Sequence, residues 1–188
     1  MLFITDELDA VNAILASIGE SPINTLVDAE SVDVDNAQRT LENVSRRIQR
    51  RGWQFNTRLN EEVLPDVNTK RIKYNPTWMN LKADDGKTYV KRGDFVYNLS
   101  DKTYTFENNL TVSIIEAVDF GDLPDEFKQY ITCKAAVEFQ ARYLGDDNIS
   151  QELMQELAEA YADIVQYSID TGTNMMQTTG MQEALERT

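Results

Sequence analysis

The sequence predicts an α+β protein: a four-helix bundle with an antiparallel β domain inserted between helices 2 and 3, and an extended C-terminal tail. Three observations predict it. Apolar residues recur at steps of three and four on both sides of the chain's middle, the helical period. Between Trp53 and Asp119 the period changes to two, the mark of half-buried strands. After Asp170 no sustained stripe of either kind follows. The predicted segments are 1–52 and 123–170 for the two halves of the bundle, 53–122 for the β domain and 171–188 for the tail.

The first helix is predicted over 6–18, with Thr5 as N-cap and Asp6 and Glu7 at the positive end of the helix dipole. Leu8, Val11, Leu15 and Ile18 share a face with Ile14 beside them; Gly19 supplies a left-handed stop and Pro22 prevents continuation. In the second helix Val34, Ala37, Leu41, Val44 and Ile48 form a stripe that must meet other apolar surface. Asp33 and Asp35 open it, four arginines crowd its end, and Gly52 terminates it.

A first strand is expected from Trp53 through Phe55 and Leu59 to Val63, ended by Pro65. Further strands are expected at 71–74, 78–83, 87–91, 95–98, 104–106 and 111–118, with turns at "ADDGK", "RGD" and "ENN". Helical pattern returns at "GDLPDEF", where Pro124 suits a helix start. From Phe127 to Leu144 apolar residues cover most of the circumference. Lys134, Glu138 and Arg142 form a narrow polar strip with i,i+4 pairing, so this helix is central or packs on a neighbour too. The last helix is expected over 149–169, with Asn148 and Gln151 as a capping box and Met154, Leu157, Tyr161 and Ile164 as its inner stripe, Leu153 and Val165 beside them.

Composition excludes much. The 188-residue chain can bury roughly 70% of its unfolded surface, so it needs no staples. Its net charge of −14 argues against a free-standing duplex-binding protein. With no histidine and one cysteine, Cys133, there is no Ser-His-Asp or Cys-His machinery, no HExxH site, no structural zinc site and no internal disulfide. No metal or cofactor is expected. No apolar run approaches the roughly 18 residues of a membrane helix, and "MLFITDELDA" does not read as a signal peptide.

The densest feature is "RRIQRRGWQFN", from Arg46 to Asn56. At about 100° per residue, Arg46 and Arg50 project opposite Ile48, while Arg51 and Arg47 fall about 60° and about 100° from it. Three roles suit the cluster: complementing the helix dipole, ion pairing between subunits through Arg47 and Arg51, and contact with nucleic acid. Arg92-Gly93-Asp94 reads as a hairpin turn. The acid pairs Asp84/Asp85, Asp122/Asp125 and Asp146/Asp147 read as solvated loops and caps. A glycan hydrolase using one such pair, with exposed aromatics such as Trp78 or Tyr89, is the alternative reading, and a sugar-binding module a minor third.

The order of several stretches carries a resemblance. "LDAVNAILASIGESPINTL" is followed by "RRIQRRGWQFN", "LPD", "YVKRGDFVYN" before "TYTF", and "DLPDEFKQYITCKAAVEFQARYLGD". From Leu8 to Asp146 the chain resembles the tail tubular protein A family, the head–tail adaptors of short-tailed bacteriophages. The resemblance implies a connector-like helical bundle and a structural virion protein without enzymatic activity, assembled in the host bacterial cytoplasm. It further implies a homo-oligomeric ring of about twelve copies. That ring would join the portal protein to the tail nozzle protein (tail tubular protein B). Tail fibres would dock nearby, and DNA would pass through the channel without specific binding. The tail, represented by Thr171, Asn174, Met175, Met176, Met181 and Leu185, would then dock on the portal.

Overall fold

The structure is a computed structural model that describes residues 4–27 and 31–171. The described residues form a mixed α and β protein with four α-helices and antiparallel strands. The chain divides into two units: one comprises the segments up to Ile48 and from Asp119 onward, the other is Gln49–Val118.

In the helical unit, α1 spans Glu7–Ala16. Its N-cap is Asp6 rather than Thr5: the Asp6 carboxylate accepts the Asp9 N–H at 2.9 Å. A carboxylate at the positive helix end outcompetes a neutral hydroxyl. Thr5 instead donates its N–H and hydroxyl to the Asp9 side chain at 3.2 and 2.5 Å. The helix ends where expected. Gly19 takes φ +82°, and the N–H groups of Gly19 and Glu20 reach back to the carbonyls of Ala16 and Leu15. Ala10, Val11, Ile14 and Leu15 are buried, while Leu8 and Ile18 sit at the rim. The Asn12 side chain makes paired bonds to the backbone of Ile23, at 2.8 and 3.0 Å, pinning the turn after Pro22.

Helix α2, Val32–Gln49, buries the whole expected stripe, each member at 2% exposure or less. Helix α3, Asp125–Tyr143, follows Pro124 and buries residues around most of its circumference, from Phe127 and Tyr130 to Ala136 and Gln140. It packs on both α1 and α4, which explains why so little of it is polar. Ser17 contributes to the α1 contact by donating to the carbonyls of Ile14 and, at 3.5 Å, Ala136.

Helix α4 spans Asp147–Asp170. Asn148 therefore lies inside the helix and is not its cap. The inner stripe is also rotated from the expected one: Ala160, Ile164 and Ser168 are buried, whereas Met154 and Tyr161 are 55% and 41% exposed. Small residues at 160 and 168 allow close approach to α3, with Phe127 against Tyr167 and Tyr130 against Tyr161 at ring-centroid distances of 5.6 and 5.7 Å. Thr171 ends the described chain, its N–H and hydroxyl both bonded to the Tyr167 carbonyl. Asn174, Met175, Met176, Met181 and Leu185 lie outside the described residues.

The second unit holds β1 (Thr57–Val63), β2 (Trp78–Ala83), β3 (Tyr89–Arg92), β4 (Phe95–Asn98) and β5 (Leu110–Glu116). One antiparallel sheet has the order β1-β5-β2; β3 and β4 form a hairpin. Its core gathers Ile72, Tyr74, Leu81, Tyr89, Val96, Phe106, Val112 and Ile114. Three expectations fail here. The first strand begins at Thr57, because Gln54–Asn56 form a 3₁₀ turn. Segments 71–74 and 104–106 bury Ile72, Tyr74 and Phe106 as alternation requires, but neither forms a strand: 71–74 has the single bridge Lys73↔Phe95, and the bridge Asn98↔Thr103 falls just before 104–106. Leu59 is exposed, because β1 is an edge strand bulged between Arg58 and Glu61, with Asn60 at φ +57°.

Candidate interaction surfaces

Four features follow from this architecture. The first is a buried polar clasp within the second unit, at Gln49 and Asn56. The Gln49 side chain donates to the Val118 carbonyl at 2.9 Å and accepts the Val118 N–H at 2.8 Å. Asn56 accepts the Trp53 N–H at 2.8 Å and donates to the carbonyls of Gln49 and Glu116, both at 3.0 Å. The first and last residues of the unit are thus bonded to each other. Gly52 sits between them at φ +79°, and a Cβ there would stand 2.8 Å from the Ile115 Cδ1. Neither Gln49 nor Asn56 was singled out by pattern. The available signal was a glutamine directly following a buried stripe and an asparagine three residues after a tryptophan.

The second feature is the arginine cluster. Helix α2 stops at Gln49, so Arg50 and Arg51 lie beyond its end and the helical projection does not apply to them; both are exposed. Arg46 stands 4.0 Å from Glu42. Arg47 pairs with Glu138 of α3 in its own chain. Lys134 and Arg142 approach the same Glu138 carboxylate at 4.0 Å each, so the strip expected along α3 exists and a helix α2 cation joins it. Trp53 is buried and Phe55 half-buried, which leaves little ring surface for stacking on bases.

Third is a basic and aromatic face on the hairpin. Arg71 lies 5.4 Å from the ring centres of both Phe95 and Tyr104, and Arg92 lies 3.9 Å from that of Tyr97. Arg92-Gly93-Asp94 forms the β3–β4 turn, with Gly93 at φ +59°. Two of the acids of the hydrolase reading, Asp85 and Asp125, and both of its aromatics have other partners. Tyr89 is buried against Phe106, and its hydroxyl donates to Asp85 at 2.6 Å, which holds the Asp85 carboxyl below its ordinary range. Burial, reinforced by that bond, pushes the Tyr89 phenol up. Trp78 is half-buried, edge-on to Tyr74 at 5.3 Å. Asp125 pairs with Lys128 at 3.3 Å. Cys133 is buried, and desolvation raises its thiol to about 11, so it is no thiolate nucleophile. Among the described residues no three His, Cys, Asp or Glu side chains are grouped to hold a metal ion, and no helix is long and apolar enough to cross a membrane.

Fourth is the outer side of α4. Glu152, Glu156, Glu159, Asp163 and Asp170 are all exposed on it, and the helix has no lysine or arginine. Between this ridge and the buried stripe runs a second apolar line of Met154, Tyr161 and Ile169, the last 66% exposed.

The described residues thus form a β unit closed by its own clasp and a helical unit with charged and apolar outer faces. Residues 8–174 match the family model described as tail tubular protein, and the chain belongs to that family. It is a structural component of a phage tail, and its place is the virion. It is 26% identical over 160 residues to "Tail tubular protein A" of Klebsiella phage KP34, an alignment covering 85% of this chain and 84% of that one.

Proposed function

We propose that the chain is the adaptor ring of a short-tailed phage. In this reading about twelve copies join the portal to the tail nozzle, leave a channel for DNA, and offer a docking site for tail fibres. The protein performs no chemistry; its work is geometric. The helices form a connector-like four-helix bundle that makes the ring contacts, with Arg47 on α2 and Arg51 just beyond its end taking part. The β domain of residues 53–122, inserted between α2 and α3, meets the nozzle and fibres. Residues 171–188 fold onto the portal, the ordering cost being offset by buried surface.

The observation that carries this reading is the family match over residues 8–174. The exposed apolar line on α4 supports it, because exposed large side chains in register along a helix mark association surfaces. Native mass spectrometry of the full chain, alone and with the cognate portal protein, tests it. A closed oligomer, free or on the portal, is expected. A chain that stays monomeric in both conditions overturns the reading.

A further inference from the structure

The charge of this protein is divided unequally. Gln49–Val118 holds 11 Lys and Arg against 9 Asp and Glu, so the rest of the chain holds 7 against 23. Within that acidic remainder, Arg47, Lys134 and Arg142 are gathered on Glu138. Arg39 and Arg46 are not part of that group. They lie on the side of α2 opposite its buried stripe, both exposed, in line with Val32, which is 72% exposed. Their spacing is seven residues, two helical turns, or about 10.5 Å along the axis. On α4, Glu156, Asp163 and Asp170 repeat at the same spacing.

Resting on the ring reading above, we infer that the acidic ridge of α4 on one copy docks against the outer arginines of α2 on the next. Arg39 and Arg46 are opposite in sign to the acidic ridge and share its seven-residue repeat, so helices laid side by side at a shallow angle bring successive pairs together. Arg forks engage carboxylates in two bonds at once. Arg46 loses little by turning outward, since its pair with Glu42 is long and both side chains are more than half exposed. The faces are different patches of one chain, so the contact is head-to-tail and repeats around a ring.

A charge-swap experiment tests this under whichever condition assembles the wild-type chain, with native mass spectrometry as the readout and circular dichroism to confirm folding. One full-length variant carries Arg39→Glu and Arg46→Glu; a second carries Glu156→Arg and Asp163→Arg. Each alone is expected to assemble about tenfold less tightly or worse. Mixing the two, or combining all four changes in one chain, restores assembly. Variants that assemble like wild type, or a mixture that does not recover, overturn the docking while leaving the ring intact. A wild-type chain that never assembles overturns both.

Discussion

At the scale of single residues, the sharpest consequences come from the clasp. Gln49 is 2% exposed and satisfies both backbone groups of Val118. Replacing it with Leu keeps much of the volume but leaves a part-buried N–H and C=O without their partner, a loss of about 1–3 kcal/mol for the pair. Chemical denaturation of Gln49→Leu is therefore expected to show a loss of that order. Gly52→Ala should destabilise as well, because it combines a positive φ with the 2.8 Å approach to Ile115. A Gly52→Ala protein with unchanged stability would show that the local backbone relaxes at no cost.

At the scale of elements, the sequence was legible wherever one periodicity ruled a segment. The α2 stripe was recovered residue for residue, because a helix with a single buried face leaves one solution. Strands β2 and β4 were found at their observed bounds, since alternation and Gly-containing turns agreed there. On helix α4 two apolar lines compete: Ile164 of the expected inner stripe is buried and Leu157 half-buried, but the helix turns Ala160 and Ser168 inward beside Ile164 and leaves Met154 and Tyr161 outward. The clasp was not legible, because it depends on residues 69 positions apart in the chain. The rotation of α4 is checked by paired substitutions. Ile164→Ala, at 1% exposure, should cost about 2–5 kcal/mol in unfolding, whereas Met154→Ala should leave monomer stability within about 0.5 kcal/mol. Equal losses at both positions would contradict the observed orientation.

At the scale of the whole molecule, the negative charge has a use in the proposed ring. In that ring, duplex DNA would have to move through the channel without being held. Lysines and arginines on the wall would bind phosphate and release counterions, and carboxylates there would leave the duplex free to slide. The expected outcome is that the assembled protein shows no stable complex with short duplex DNA at about 0.15 M salt in a filter-binding assay, the screening length there being about 8 Å. A complex that weakens steeply with salt would reveal a basic lining and refute the acidic wall.

The clasp also bears on force. A chain pulled from Ile48 and Asp119 feels tension first at Gln49 and Val118, which are tied side by side by two hydrogen bonds. The load passes across that tie instead of along the residues of the sheet, so the strands stay slack while it holds. In the proposed ring, such a bypass would shield the β unit from strain arriving at Ile48 and Asp119.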